Sequence, residues 1–165
     1  MTYVMLRYDE TVDGMPELLM QYARACMKAQ ELEMHLHAFL QYSLALAGDF
    51  DGIESLEQSN DKHGNISMGL VLEKAREYFL DDALADLMES CRLTRNDLVH
   101  KLFKRGQGGA RATEEEMIQA ISFCRTAAEE FDVVIETLDD RVESIRVLIA
   151  SNPNAFIRDL SSRFD

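Results

Sequence analysis

Two long stretches of this chain repeat their apolar residues in alternating steps of four and three, and no proline interrupts either. In the first, Leu18, Tyr22, Ala25, Ala29, Leu32, Leu36, Phe39 and Ser43 keep that rhythm. In the second, Ile121, Cys124, Ala128, Phe131, Ile135, Leu138, Val142, Ile145 and Ile149 keep it more strictly. Steps of four and three place side chains along one stripe of an α-helix, which is the seam of a helix packed lengthwise on another. Pro16 and Pro153 are the only prolines, and each stands where a helix can begin, since the first helical position has no use for an N–H. The first helix is expected from Pro16 to Ala47, with Gly48 as its stop. The last is expected to start at a capping box, Thr113 to Glu116, which satisfies two N–H groups reciprocally. Helices of about 32 and 38 residues are ~48 and ~57 Å long.

Between them the pattern is weaker. Residues 48–66 are polar and rich in turn formers, so an exposed connection is expected, with a short helical turn over Ile53 to Gln58. Ser67 can cap a second helix running to Phe79, and Asp81 a third that uses Leu84, Leu87, Met88, Cys91, Leu98, Leu102 and Phe103 and ends near Gly106. A flexible stretch, Gly106-Gln107-Gly108-Gly109-Ala110, follows. Asp139-Asp140 is a candidate bend, and Asn152-Pro153 a start for a short C-terminal helix. Within residues 1–13, Tyr3-Val4-Met5-Leu6-Arg7-Tyr8 is apolar and β-tolerant and suits a short strand or an arm laid on a neighbour. The pattern predicts an all-α fold over residues 1–165: a single domain, an antiparallel helical bundle of two long helices and two or three shorter ones. Seams of this length leave apolar surface for a second copy, so a homodimer is expected.

Charge limits the partners. The chain carries −13 at pH 7, and a field of that sign repels polyanions and anionic membranes. No apolar run approaches the ~18 residues that span a bilayer, and no signal-peptide pattern opens the sequence. Cys26, Cys91 and Cys124 are odd in number, far apart and on apolar positions, as reduced core cysteines of a cytoplasmic protein would be.

One segment reverses the charge. From Cys91 to Arg111, Arg92, Arg95, Lys101, Lys104, Arg105 and Arg111 face the single acid Asp97, a local +5. A local basic site acts within a Debye length of a phosphate whatever the net charge. Within the segment, Asn96, His100 and Phe103 share a helix face at i, i+4 and i+7. Arg95 lies five residues before His100, about 140° around the helix, so one copy does not converge the two tightly. Two copies of this helix facing across a two-fold axis would bring both residue types around one phosphate. Histidine gives and takes a proton near neutral pH, and arginine holds a phosphate bidentately and stabilises developing charge. This set suits metal-independent RNA cleavage, in which the 2′-hydroxyl attacks the adjacent phosphate, with Lys101, Lys104 and Arg105 as backbone contacts.

The run Arg95-Asn96-Asp97-Leu98-Val99-His100 resembles the signature of the HEPN superfamily, an Arg followed by a polar residue and, a few positions on, a His. The resemblance implies a small all-helical bundle, generally dimeric, and in many members a ribonuclease of toxin–antitoxin, abortive-infection or CRISPR systems. It implies catalytic roles for Arg95 and His100, support from Asn96, no cofactor, and an antitoxin or other protein as partner. Ile66-Ser67-Met68-Gly69-Leu70 and Lys101-Leu102-Phe103 also resemble a looser group of bacterial helical proteins that pairs a Thr-Leu-Gly-like helix start with Arg-Asn-x-Leu-x-His.

A second reading stands beside this one. Asn96 and His100 can be buried polar residues that fix a helix crossing, with Arg95 paired to an acid elsewhere; the chain is then a helical interaction or regulatory protein. Glu31 with His35, and Glu33 with His37, have i, i+4 spacing open to a metal, yet the Glu-x-x-His pairs of di-iron bundles are missing, and no metal site is assigned. Glu114-Glu115-Glu116 reads as a helix start, and the nine methionines as adaptable core or interface residues.

Overall fold

The computed structural model describes residues 14–63, 68–78, 81–102 and 113–151. They form five helices: α1 (Met15–Ala47), α2 (Phe50–His63), α3 (Met68–Arg76), α4 (Asp82–His100) and α5 (Glu114–Ser151). Among the described residues there is no strand, and the bundle is all-α as expected, with α1 of 33 residues and α5 of 38. The segment 1–13, the proposed cap Ser67 and helix end Phe79, the glycine-rich stretch and the helix expected from Asn152-Pro153 lie outside the described residues.

The chain falls into two compact units, and the division passes within α1, α4 and α5. The first unit takes α1 to Leu32, α4 from Leu87 and α5 to Val134. It buries Leu18, Ala25, Ala29 and Leu32 of the first seam with Cys124, Ala128 and Phe131 of the last. Here the two long helices run in the same direction. Glu17 meets Arg125 at 3.1 Å, and further along both helices Lys28 meets Asp132 at 2.7 Å. Such exposed pairs add little stability, but they report the register. The antiparallel partner is α4, whose Cys91 lies close to Glu130 and whose chain passes through residues 103–112 into the start of α5. The second unit buries Leu36, Phe39, Leu40, Leu56, Val71, Leu72 and Leu138. In it His35 meets Asp139 at 2.5 Å, and Arg141 donates to Asp81 at 2.6 Å.

Helix ends follow local chemistry. Gly48, at φ 75°, lets its N–H reach Ala45 O at 3.1 Å and the Asp49 N–H reach Leu44 O at 2.9 Å. That is a Schellman stop, available to glycine without a Cβ penalty. Asp81 accepts from the Leu84 N–H at 2.9 Å. The Thr113 N–H donates to Glu116 at 2.6 Å, while the Glu116 N–H donates back to Thr113 Oγ1 at 3.2 Å.

Four expectations need correction. The exposed connection is largely α2, 14 residues long. Asp49 caps it by accepting from the Gly52 N–H at 2.9 Å, and Leu56 anchors it, fully buried. Gly52, which reads as a turn former, is the third residue of that helix. The third expected helix ends at His100 rather than near Gly106. The helix runs unbroken through Asp139-Asp140, where Leu138 and Ile145 stay buried on either side and hold α5 to its core face. Leu87 is exposed, its place on the buried face of α4 taken by Ala85 and Met88.

Burial pushes the Cys91 thiol up to about 11 and the Cys124 thiol up to about 12. The phenol of Tyr22 is likewise raised to about 12, by burial first and by its bond to Cys26 second. Both buried thiols therefore stay protonated at neutral pH, and alkylation near pH 8 should reach Cys91 and Cys124 only as fast as the fold opens.

Gly52 yields a sharper expectation. Alanine in a helix normally gains about 1 kcal/mol over glycine. A Cβ at position 52 would stand 2.5 Å from Asp49 Oδ2, and that carboxylate is held by the Gly52 N–H and by the Tyr78 hydroxyl, 2.9 Å from Oδ2. Gly52→Ala should therefore destabilise the chain in a urea melt, and Asp49→Ala should cost roughly 1 kcal/mol or more through the lost cap.

Candidate functional site

The Arg-Asn-x-x-x-His motif occupies the last turn and a half of α4. The rotation of this helix is set by Met88, Cys91, Leu98 and Leu102, all buried. Leu98 is 1% exposed, so His100, two positions on, is turned away from the core and lies exposed at the helix end. Leu93, seven residues before it, shares that outer side and is also exposed. Arg95, Asn96 and Asp97 are half-buried.

Arg95 Nη1 donates to Asn96 Oδ1 at 3.3 Å. Asn96 thus orients the guanidinium rather than the imidazole, and His100 has no hydrogen bond among the described residues. The helix holds Arg95 and His100 about 140° apart, as spacing requires, and one chain does not bring them together. His100 is exposed and not sealed within a helix crossing among the described residues.

The basic island is partly neutralised. Arg92 donates to Glu89 twice, at 2.8 and 2.5 Å, and Lys101 Nζ meets Asp97 Oδ1 at 2.5 Å. Both partners were legible at i, i+3 and i, i+4 spacing, but Glu89 falls just outside the segment whose charge looked uniform. Lys104 and Arg105 lie outside the described residues. Of the other histidines, His35 faces Asp139, while Glu31 meets Lys28 at 2.7 Å. Among the described residues no cluster of three or more His, Cys, Asp or Glu could hold a metal, and no helix is long and apolar enough to cross a membrane.

No family model, curated protein or solved structure matches this chain.

Exposure at one position and burial two residues away separate a surface role from a packing role. His100→Ala should leave the unfolding free energy within about 0.5 kcal/mol, as surface changes do. Leu98→Ala should cost roughly 2–5 kcal/mol, because it opens a cavity beneath the motif. Parallel denaturant melts measure both.

Proposed function

We propose that the chain is a HEPN-like, metal-independent ribonuclease, acting in the cytoplasm as part of a toxin or phage-defence module. The observation that carries this reading is an exposed His100 on the same helix end as an Arg95 already oriented by Asn96. In the reaction His100 takes the proton from a ribose 2′-hydroxyl as that oxygen attacks the adjacent phosphorus. The bond from phosphorus to the 5′-oxygen breaks, and the leaving oxygen takes up a proton. Arg95 offsets the charge that builds on the non-bridging oxygens. Because the two side chains diverge within one helix, the phosphate would sit between two copies of α4, with His100 from one and Arg95 from the other.

A second reading is favoured by a different observation. The described cations Arg92 and Lys101 are already engaged by acids, and large apolar side chains are exposed on α1 and α4. Those features suit a helical partner or regulatory protein that binds another protein.

Purified chain should cleave RNA in EDTA, while His100→Ala and Arg95→Ala, both folded, should not. Mixing the two inactive variants, with exchange of subunits, should restore about a quarter of the sites, because half the pairs are mixed and each has one intact site. Failure to recover would overturn the site shared between two copies. An inactive wild type with normally melting variants would favour the second reading.

A further inference from the structure

α1 has a second seam. Its buried stripe runs through Leu18, Ala25, Leu32 and Leu36. Half a turn away, Met20, Ala23, Met27, Gln30 and Met34 follow in steps of three, four, three and four, and all five are exposed. The three methionines are 61%, 69% and 71% exposed. None of the five positions is charged, in a chain where 28% of residues are. A solvated helix face has no reason to keep that pattern, whereas a helix-packing face requires it. Methionine is an adaptable contact residue, able to fill an uneven surface.

We propose that this face of α1 packs on the same face of a second copy, antiparallel, with the two-fold axis at Met27. The residues are self-complementary about that point. Met20 and Met34 stand seven positions on either side, so each Met20 meets the partner's Met34. Arg24 and Glu31 stand three before and four after, on one flank of the seam, so each Arg24 reaches the partner's Glu31. Their side chains are 52% and 43% exposed. Within the chain Arg24 lies 3.9 Å from Asp132 and Glu31 2.7 Å from Lys28, contacts that leave both groups at the surface. A parallel pair would match like with like along the seam and would not bring Arg24 to Glu31. Opposite charges at the rim fix register and direction, while the apolar centre supplies affinity. This contact lies on α1 and draws on neither Arg95 nor His100.

The full-length chain tests it. Sedimentation at micromolar concentration should give a multimer, and Met27→Glu should weaken association roughly tenfold or more, because it places like charges together on the axis. Its melting curve at low concentration should be unchanged. Arg24→Glu should weaken association and Arg24→Glu with Glu31→Arg should restore it. In a Cys26→Ser background, Met27→Cys should form a disulfide between copies under mild oxidation. Met20→Cys alone should not, whereas Met20→Cys with Met34→Cys should. A monomeric wild type, an unchanged mass for Met27→Glu, or equal cross-linking at 20 and 27 would overturn the proposal; the last result marks a parallel pair. Loss of RNA cleavage with this contact intact would strike only the ribonuclease reading.

Discussion

Glu17 meeting Arg125 and Lys28 meeting Asp132 give α1 and α5 a common direction in the first unit. A chain that lays two helices side by side in one direction must travel back before the second can begin. Here α4 makes the return, with Cys91 alongside Glu130, before α5 begins at the capping box of Thr113. The motif lies at the end of α4, with its packing settled by Leu98 and Leu102. Direction of the long helices, burial of that pair and placement of the motif are thus one problem with one solution.

The charge pattern follows the same economy. A chain at −13 spends much of its acid on local pairs, such as Glu89 with Arg92 and Asp97 with Lys101. These pairs are exposed or half-buried and contribute little to stability. Their effect is on the field: two of the three described cations of the basic island meet a carboxylate within 2.5 Å. The Arg95 guanidinium also donates to the neutral amide oxygen of Asn96. A field reduced in this way reaches a phosphate only at short range.

How much could be read from the residues depended on whether the deciding interaction was local. The Thr113–Glu116 box, the Gly48 stop and the Asp81 cap were legible because each closes within a few residues. The helix α2 was not, because its cap Asp49 is stabilised from Tyr78, 29 residues away, and its Gly52 looked like a turn. The common direction of α1 and α5 was also hidden, since a heptad stripe has no arrow; only the pairing of flank charges supplies one. For the site, the residue types and their angular separation were legible from the 3.6-residue turn. Exposure of His100 was not, because it depends on which stripe of α4 faces the core, and Leu87 had seemed as good a core residue as Met88.

That rotation of α4 decides what the motif can do. Turning the helix to bury Leu98 leaves His100 outward and Arg95 half-covered. Turning it the other way would sink His100 among the leucines and expose Arg95. No rotation of one straight helix points both at the same phosphate, because their separation is fixed by spacing. Any chemistry that needs both groups on one atom must therefore recruit a second chain. On α1 the separation of faces is as sharp, with Met20, Met27 and Met34 exposed and Leu18, Ala25, Leu32 and Leu36 buried on the opposite side.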